Sequence, residues 1–197
     1  MMEIILASSS PRRKFILEQI KLRFKVRTPK INEEQEILPE DVVEAAITLA
    51  RAKAHSVIRP KDNALIIGAD TQVRIGNQRF GKPKSSKEAT EMLRALSSRV
   101  HEVITGVVIL DTTTSKAIED YEVTKVKFRP LEETDIGWYV STGEPIGKAG
   151  GYAIQGIGAL FIEKIDGDFY NVMGLPVYKM AKMFERLNHS IFEFIRK

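Results

Sequence analysis

The chain has 197 residues, of which 43% are hydrophobic and 28% are charged. This balance excludes a disordered chain and is typical of a protein that buries one sizeable core or two lobes sharing a cleft. The absence of cysteine excludes disulfides, thiolate catalysis and cysteine-ligated metals. The N-terminal apolar run is too short for a signal peptide, and no stretch approaches the roughly 20 apolar residues of a membrane span. The sequence predicts a cytoplasmic protein with no membrane partner.

Positive charge is concentrated at the N-terminus, although the net charge of the whole chain is only +4. Residues 1–30 hold eight lysines and arginines against two glutamates, a net charge of +6, which leaves −2 for the remainder. A basic segment of this kind indicates an anionic ligand, such as a phosphate or a nucleic acid. A solvated basic surface explains the charge equally well.

The predicted elements begin with a short buried strand over Glu3 to Ala7. Pro11 suits the first turn of the helix that follows, because its missing N–H would have no partner there, and Ser10 is then a natural N-cap. Helices are predicted over residues 12–20, 40–58, 85–97, 131–140 and 175–187, and further strands over 22–26, 64–73, 100–110, 121–128 and 159–165. This alternation around a central hairpin predicts an α/β fold with a mixed sheet. No clean boundary divides the chain, so we expect residues 1–197 to form a single domain.

The junction between the first strand and the first helix has the composition of an anion site. A helix N-terminus presents free N–H groups and the positive end of its dipole. The serine hydroxyls before Pro11 add donors, and Arg12 and Arg13 add charge and forked hydrogen bonding to phosphate. The alternative is an ordinary serine-capped helix with solvated arginines.

Two charged side chains occur where an uncompensated charge is costly. Asp70 ends the apolar run of the strand over residues 64–73, and ligands of open α/β sheets bind beyond the carboxyl ends of strands. Asp70 either binds a metal or a water there, or it simply forms a turn. Lys53 falls on the apolar face of the helix over residues 40–58. Its stem either reaches out to solvent or its ammonium meets an anion, and we favour the anion.

Other polar residues carry weaker signals. Glu33 and Glu34 lie in a polar loop, where either can be a metal ligand or a solvated acid. Lys82 stands between a glycine and a proline, which fixes its direction. Gln155 lies in a glycine-rich loop, where its amide can read a base edge. The chain has no P-loop or GxGxxG motif, its histidines lack metal-ligand spacing, and no Ser/His/Asp triad stands out.

An ordered set of motifs resembles the Maf nucleotide pyrophosphatases over residues 4 to 180. These motifs are LASSSPRR, IIGADT, GKP, SxRxHxVITGV over Ser97 to Val107, KAGGYAIQG and GLP. Each is unspecific alone, but the ordered set is hard to obtain by chance. The GADT and IQG variants resemble the dTTP/UTP pyrophosphatase branch rather than the sister branch that acts on 7-methyl-GTP.

The resemblance implies an elongated mixed β-sheet flanked by helices, like that of inosine triphosphate pyrophosphatases, with two lobes and a central cleft. It implies Mg²⁺ or Mn²⁺, a homodimer, and a link to arrest of septum formation. Asp70 matches the general base or metal-positioning carboxylate. Phosphate binding is implied for Ser8, Arg12, Arg13, Lys53 and Lys82, the metal-side acid for Glu33 or Glu34, and base specificity for Arg12, Thr71 and Gln155.

These residues suit metal-assisted attack of water at the α-phosphate of a nucleoside triphosphate, which leaves the monophosphate and pyrophosphate. The competing class is a nucleotide- or nucleic-acid-binding module without catalysis. Residues 131–197 contain no extended basic run or aromatic platform, so we expect no stable nucleic acid complex. A pyrophosphatase for 7-methyl-GTP or inosine triphosphate is the runner-up among enzymes. A regulator of division that acts through the IFEFI segment (Ile191 to Ile195) is a third reading, compatible with catalysis.

Overall fold

The structure, a computed structural model, describes residues 2–33 and 36–196. The chain forms two compact units, and each is described separately below. Unit 1 contains the described residues within Met1–Asp70, Thr105–Glu122 and Gly174–Lys197, and unit 2 contains Thr71–Ile104 and Val123–Met173.

The described residues form seven strands and six α-helices. The strands are β1 (Glu3–Ala7), β2 (Lys25–Arg27), β3 (Ala64–Ile75), β4 (Gln78–Phe80), β5 (Val100–Asp111), β6 (Lys116–Phe128) and β7 (Ile162–Asp166). The helices are α1 (Pro11–Gln19), α2 (Val42–His55), α3 (Ser86–Leu96), α4 (Glu133–Ser141), α5 (Phe169–Met173) and α6 (Val177–Arg186). Short 3-10 helices cover Ala149–Gly151, Ile157–Phe161 and Ile191–Phe194. No helix in the described part of the chain is long and apolar enough to cross a bilayer.

The sheet is mixed, which confirms the predicted α/β class. Hydrogen bonds join the strands in the order β2-β1-β3-β5-β6-β7, and β4 pairs with β3. Strand β1 runs parallel to both β2 and β3, with Ile5 opposite Lys25 on one side and Ile66 on the other. Strands β4 and β7 run antiparallel to β3 and β6.

Several predicted boundaries were wrong for identifiable reasons. Strand β2 begins at Lys25 rather than at residue 22, because Leu22 instead forms an isolated bridge with Ile195. The strand predicted over residues 159–165 begins only at Ile162, since residues 157–161 wind into a 3-10 helix. The short elements β4 and α5 were not predicted.

Helix α2 packs very closely on the sheet in unit 1. A Cβ at Gly68 of β3 would lie 2.2 Å from the carbonyl oxygen of Ala50, and one at Gly106 of β5 would lie 2.6 Å from the backbone of Ala46. Side chains at these two positions would push the helix away, so glycine is required by proximity rather than by conformation. The close packing fixes the height of α2, and therefore of its polar side chains, above β3.

A buried histidine lies in the core of unit 2. His101 is 1% exposed, its Nε2 lies 2.8 Å from Tyr152 Oη, and its ring meets Phe128 edge to face at 4.9 Å. Its Nδ1 has no hydrogen-bond partner among the described residues. Burial lowers the pKa of His101 from 6.5 to about 4, so the imidazole is neutral at pH 7.

This histidine makes the stability of the protein depend on pH. Between the lowered folded pKa and the ordinary unfolded one, the unfolded chain binds a proton that the folded chain does not. Stability from this group is complete above about pH 6.5 and declines as the pH falls towards about 4. We expect His101→Gln to remove about 2 kcal/mol of the stability loss between pH 7 and pH 5. Urea unfolding of both proteins at the two pH values measures this, and equal losses would disprove it.

Candidate functional site

Arg13 is fixed at the junction of β1 and α1, where the sequence predicted an anion site. Its Nε donates to the carbonyl oxygen of Gly174 at 2.7 Å, and its Nη1 lies 3.5 Å from Ser8 Oγ. The Ser8 hydroxyl also accepts from the N–H of Ser10 at 3.1 Å. Ser10 is the N-cap as predicted, but its side chain makes no cap hydrogen bond. Ser8, at 3% exposure, therefore organises the turn, while Arg12 is half-buried in the first helical turn.

The guanidinium of Arg13 is buried close to two acids. Burial lowers its pKa from the ordinary value, while the negative charges of Asp70 and Glu33 act in the opposite direction. Arginine stays protonated even so, because its ordinary pKa lies far above neutrality. The junction consequently presents a permanent positive charge with a fixed direction.

Lys53 and Asp70 form a buried ion pair. Asp41, the residue just before α2, caps this helix: its carboxylate accepts hydrogen bonds from the N–H groups of Val43 and Glu44. Lys53 lies in its last turn and is 5% exposed, and Asp70 on β3 is 2% exposed. Lys53 Nζ lies 2.6 Å from Asp70 Oδ1. Of the two alternatives for Lys53, the structure therefore supports the meeting with an anion over a stem that reaches solvent.

Glu33 completes this arrangement from the polar loop before α2. Its Oε1 lies 2.7 Å from Lys53 Nζ, and its side chain remains 37% exposed. Lys53 therefore donates to two carboxylates from separate segments of the chain. A buried ammonium needs this compensation, since an unpaired one is expensive, and the negative end of the α2 dipole adds to it. Glu34, the alternative acid, lies outside the described residues.

The carboxylate pair has the chemistry of a site for a hard cation. Asp70 and Glu33 converge on a single positive charge, here the ammonium of Lys53. Mg²⁺ is commonly held by one or two carboxylates together with substrate phosphates, which matches this donor set. No group of three or more acids or histidines arranged for a metal occurs in the described ranges, so the protein would supply only part of the coordination.

Lys82 lies in unit 2, in the segment between β4 and α3, with its side chain exposed. The backbone on both sides of it is tied to the glycine-rich loop: Gly81 C=O accepts from Gly150 N–H at 3.0 Å, and Pro83 C=O accepts from Gly147 N–H at 3.1 Å. The direction of Lys82 is therefore set by its neighbours, as the sequence indicated. Two of the sequence motifs, GKP and KAGG, are joined by these hydrogen bonds.

Of the three residues predicted to read the base, Thr71 and Gln155 belong to unit 2 and Arg12 belongs to unit 1. Thr71 follows Asp70 on β3 and is half-buried, whereas Gln155 is exposed in the glycine-rich loop. Sequence reasoning missed Glu144 and Tyr139, which bind the backbone of that loop on either side of Gln155. A glutamate between a glycine and a proline, directly before a glycine-dense stretch, was the available signal.

The basic N-terminal segment is largely engaged within the protein itself. Lys25 pairs with Glu3 at 2.6 Å. Arg27 forms a two-pronged pair with Asp62. Arg23 donates to the carbonyl oxygens of residues 193 and 194. With Arg13 buried, at least four of the eight basic residues of this segment are engaged by contacts within the protein, which weakens the case for a nucleic-acid-binding surface.

The buried pair predicts a particular pattern of stability. Asp70→Asn leaves the Lys53 ammonium with Glu33 alone, so we expect the free energy of unfolding to fall by about 3 kcal/mol or more. Adding Lys53→Met removes the stranded charge and should recover part of that loss. Urea unfolding of wild type, both single variants and the double variant measures the coupling. Glu133→Gln, which breaks an exposed pair with Arg94, is the control and should change little. Strictly additive effects of the two substitutions would contradict the pairing.

Comparison with known proteins gives the chain a family. The model of the family described as "Maf-like protein" matches residues 3–187. A dTTP/UTP pyrophosphatase of Pyrococcus furiosus is 47% identical over 191 residues, covering 97% of this chain and 98% of its own. One from Ruminiclostridium cellulolyticum is 44% identical over 193 residues, covering 98% and 100%.

Among solved structures, the Ham1 protein of Staphylococcus aureus is similar at 17% identity and a TM-score of 0.43, covering 64% of this chain and 71% of its own. The family resemblance seen in the sequence motifs is confirmed by the family model and by these close relatives. The match extends over nearly the whole length of the chain, and the chain belongs to the Maf-like protein family.

Proposed function

We propose that this chain is a nucleoside triphosphate pyrophosphatase that hydrolyses dTTP and UTP to the monophosphate and pyrophosphate. Relatives that bear the name dTTP/UTP pyrophosphatase support this substrate class, since they match 42–47% of residues over almost all of the chain. The observation that carries the proposal is the largely buried cluster of Lys53, Asp70 and Glu33. Arg13 lies close enough to both carboxylates for their negative charges to act on its pKa. Such a concentration of buried charge is costly and is characteristic of functional sites.

The cations of the cluster can neutralise part of the negative charge of a triphosphate. Phosphoryl chemistry depends mainly on positioning and on the stabilisation of charge that develops on the phosphate oxygens. Arg13 is held by Gly174 and Ser8, which fixes the direction of its guanidinium, and we propose that it binds a phosphate oxygen. Lys53 has three N–H donors and meets the carboxylates of Asp70 and Glu33, and we propose that it also meets a phosphate oxygen. We propose Arg12 and Lys82 as further phosphate ligands.

Asp70 is the proposed catalytic residue. Its Oδ1 is held by Lys53 Nζ at 2.6 Å, and a carboxylate fixed in this way can orient a water and accept its proton. The water oxygen bonds to the α-phosphorus in line with the bridging oxygen, that P–O bond breaks, and pyrophosphate leaves. Lys53 fixes the direction of the carboxylate during this attack.

A divalent ion, Mg²⁺ or Mn²⁺, is part of the proposal, with Asp70 and Glu33 as its protein ligands. When bound, it would neutralise phosphate charge and lower the pKa of a bound water. Oxygen ligands favour these hard ions over zinc. Arg12, Thr71 and Gln155 are proposed to distinguish the base.

The remaining expectations are part of the same proposal. The family model spans residues 3–187 as one match, which supports a single functional domain. Assembly as a homodimer and an effect on septum formation rest on the resemblance, whereas action in the cytoplasm rests on the composition of the sequence. Of the IFEFI segment, Ile191 and Phe194 are buried, whereas Phe192 is 79% exposed. It is packed on the protein and leaves a single exposed aromatic ring, which gives little support to a division regulator acting through this segment.

The proposal is tested by pyrophosphate release from dTTP, UTP, CTP, 7-methyl-GTP and inosine triphosphate, with Mg²⁺ or Mn²⁺. We expect dTTP and UTP to be turned over preferentially and only with the metal. Asp70→Asn should lose about 100-fold or more in turnover while it still binds nucleotide, because it removes a positioned acid–base group.

The outcomes of this experiment are distinct. Preference for another nucleotide would keep the enzyme class and discard the pyrimidine assignment. No metal-dependent release from any of them would overturn the proposal and favour a binding module. Since Asp70→Asn also strands a buried charge, its folded state must be verified by circular dichroism at the assay temperature.

Lys82 is tested against a nearby lysine. Lys82→Ala should lower kcat/KM about 10- to 100-fold, since it removes a charge-assisted hydrogen bond to phosphate. Lys87→Ala is the matched control, because Lys87 is equally exposed at the start of α3 and has no proposed role. Equal losses in the two variants would remove Lys82 from the site.

A further inference from the structure

Gln155 lies in a tight turn of unit 2 that is closed by its own backbone. The N–H of Gly156 donates to the carbonyl oxygen of Ala153 at 3.1 Å, so Ile154 and Gln155 are the two central residues of the turn. The side chain of Gln155 is exposed at this tip. Its position is therefore decided by whatever holds the two ends of the turn.

Both ends are held by one carboxylate and one phenol. Glu144 Oε2 accepts from the N–H of Ile157 at 3.1 Å, and its Oε1 accepts from the N–H of Gly158 at 3.0 Å. On the other side, Tyr139 Oη accepts from the N–H of Ala153 at 3.2 Å. Tyr139 in turn donates its O–H to Glu144 Oε1 at 2.8 Å. The two side chains thus form a continuous clamp, here called the Glu144–Tyr139 clamp, across the base of the turn.

The glycines of the loop allow this clamp to form. A Cβ at Gly156 would lie 2.5 Å from Glu144 Oε2, and one at Gly158 would lie 2.8 Å from Tyr139 Oη. Neither glycine has a positive φ, so each is required by the close approach of the clamp. The spacing of glycines around Gln155 therefore reflects a restraint on the loop rather than freedom.

The clamp is rigid and charged. Tyr139 is fully buried in the core of unit 2, where its ring meets Phe161 edge to face at 4.9 Å. Burial alone would raise the pKa of the Glu144 carboxyl, but the hydrogen bonds from Gly158, Tyr139 and Ile157 together hold it below its ordinary value. Glu144 is consequently an anion at neutral pH, and its hydrogen bonds to backbone N–H groups are charge-assisted.

We infer that Glu144 is a positioning residue for base recognition, which acts with Tyr139 by holding the turn that presents Gln155 to the base. This inference rests on the proposed function, because Gln155 is assigned to the base only there. The clamp is defined by hydrogen bonds to the backbone N–H groups of residues 153, 157 and 158, which are not among the residues proposed for the phosphate chemistry. Its loss should therefore affect nucleotides through their base alone.

The substitution Glu144→Gln tests this with little change of shape. The amide keeps one acceptor oxygen but places an NH₂ group where the carboxylate accepts from Ile157 or Gly158, so the C-terminal end of the turn loses one of its two hydrogen bonds. We expect kcat/KM for the preferred nucleotide to fall about tenfold, mainly through KM, as for the loss of one strong hydrogen bond. Ribose 5′-triphosphate, which has no base, should be hydrolysed by the variant at the wild-type rate.

A double-mutant cycle identifies Gln155 as the intermediary. Gln155→Ala should show the same pattern, and the double variant Glu144→Gln/Gln155→Ala should be no worse than Gln155→Ala alone. Glu133→Gln, another glutamate of unit 2 with an exposed partner, is the control and should leave both activities unchanged. Independent losses that multiply in the double variant, or an equal loss on ribose 5′-triphosphate, would overturn the inference.

Hydrogen exchange provides a readout that is independent of activity. Amides of residues 153–158 should exchange about tenfold faster in Glu144→Gln than in wild type or Glu133→Gln, because a restrained loop becomes locally open. Unchanged exchange would overturn the clamp whatever the kinetics show. If the wild type releases pyrophosphate from no nucleotide, the proposed function and the role in base recognition are both wrong. The hydrogen-exchange rates of residues 153–158 still test whether the clamp restrains the loop.

Discussion

An ammonium group buried at the end of α2 has to be compensated by the rest of unit 1. Glycines at positions 68 and 106 allow the helix to lie close to the sheet, which fixes the height of the Lys53 backbone above β3. Asp70 on β3 therefore lies within hydrogen-bonding distance of the ammonium. The loop before α2 brings Glu33 to the same ammonium. Because buried charges are favourable only when their partners are well placed, this requirement links three separate segments of the chain.

Such an arrangement suits the binding of a highly charged anion. Ion pairs of 2.7 and 2.6 Å hold Glu33 and Asp70 to Lys53, so little reorganisation free energy would be needed for these groups to meet a phosphate. Arg13 is likewise held in place by a distant part of the chain, since its Nε donates to the carbonyl oxygen of Gly174, 161 residues further along. Hydrogen bonds to neutral groups thus set the direction of the guanidinium, while the nearby charges of Asp70 and Glu33 oppose the lowering of its pKa by burial.

The sequence predicted the individual charged residues of the site better than their contacts. Lys53 and Asp70 could be identified because a charge interrupts an apolar periodicity, which is a local signal. The pairing of Lys53 with Glu33 could not, since the loop that carries Glu33 has no periodic pattern. Long apolar elements such as β3 and α2 were predicted for the same reason, whereas β4 and α5, with three and five residues, depend on neighbours distant in sequence. Glu144 was missed because the close approach of a carboxylate to a glycine is invisible in composition.

The ends of the strand order have a consequence for how copies of this chain can associate. Strand β2 has only three residues, two of them basic, and the residues just before it are already bonded to residues 194–196. Strand β7 at the other end has five residues, of which three are charged. Short, charged terminal strands are poor templates for the addition of a further strand, and they protect a protein from aggregation through its sheet. At both ends of this strand order, the described sheet therefore offers little edge to a strand from another molecule.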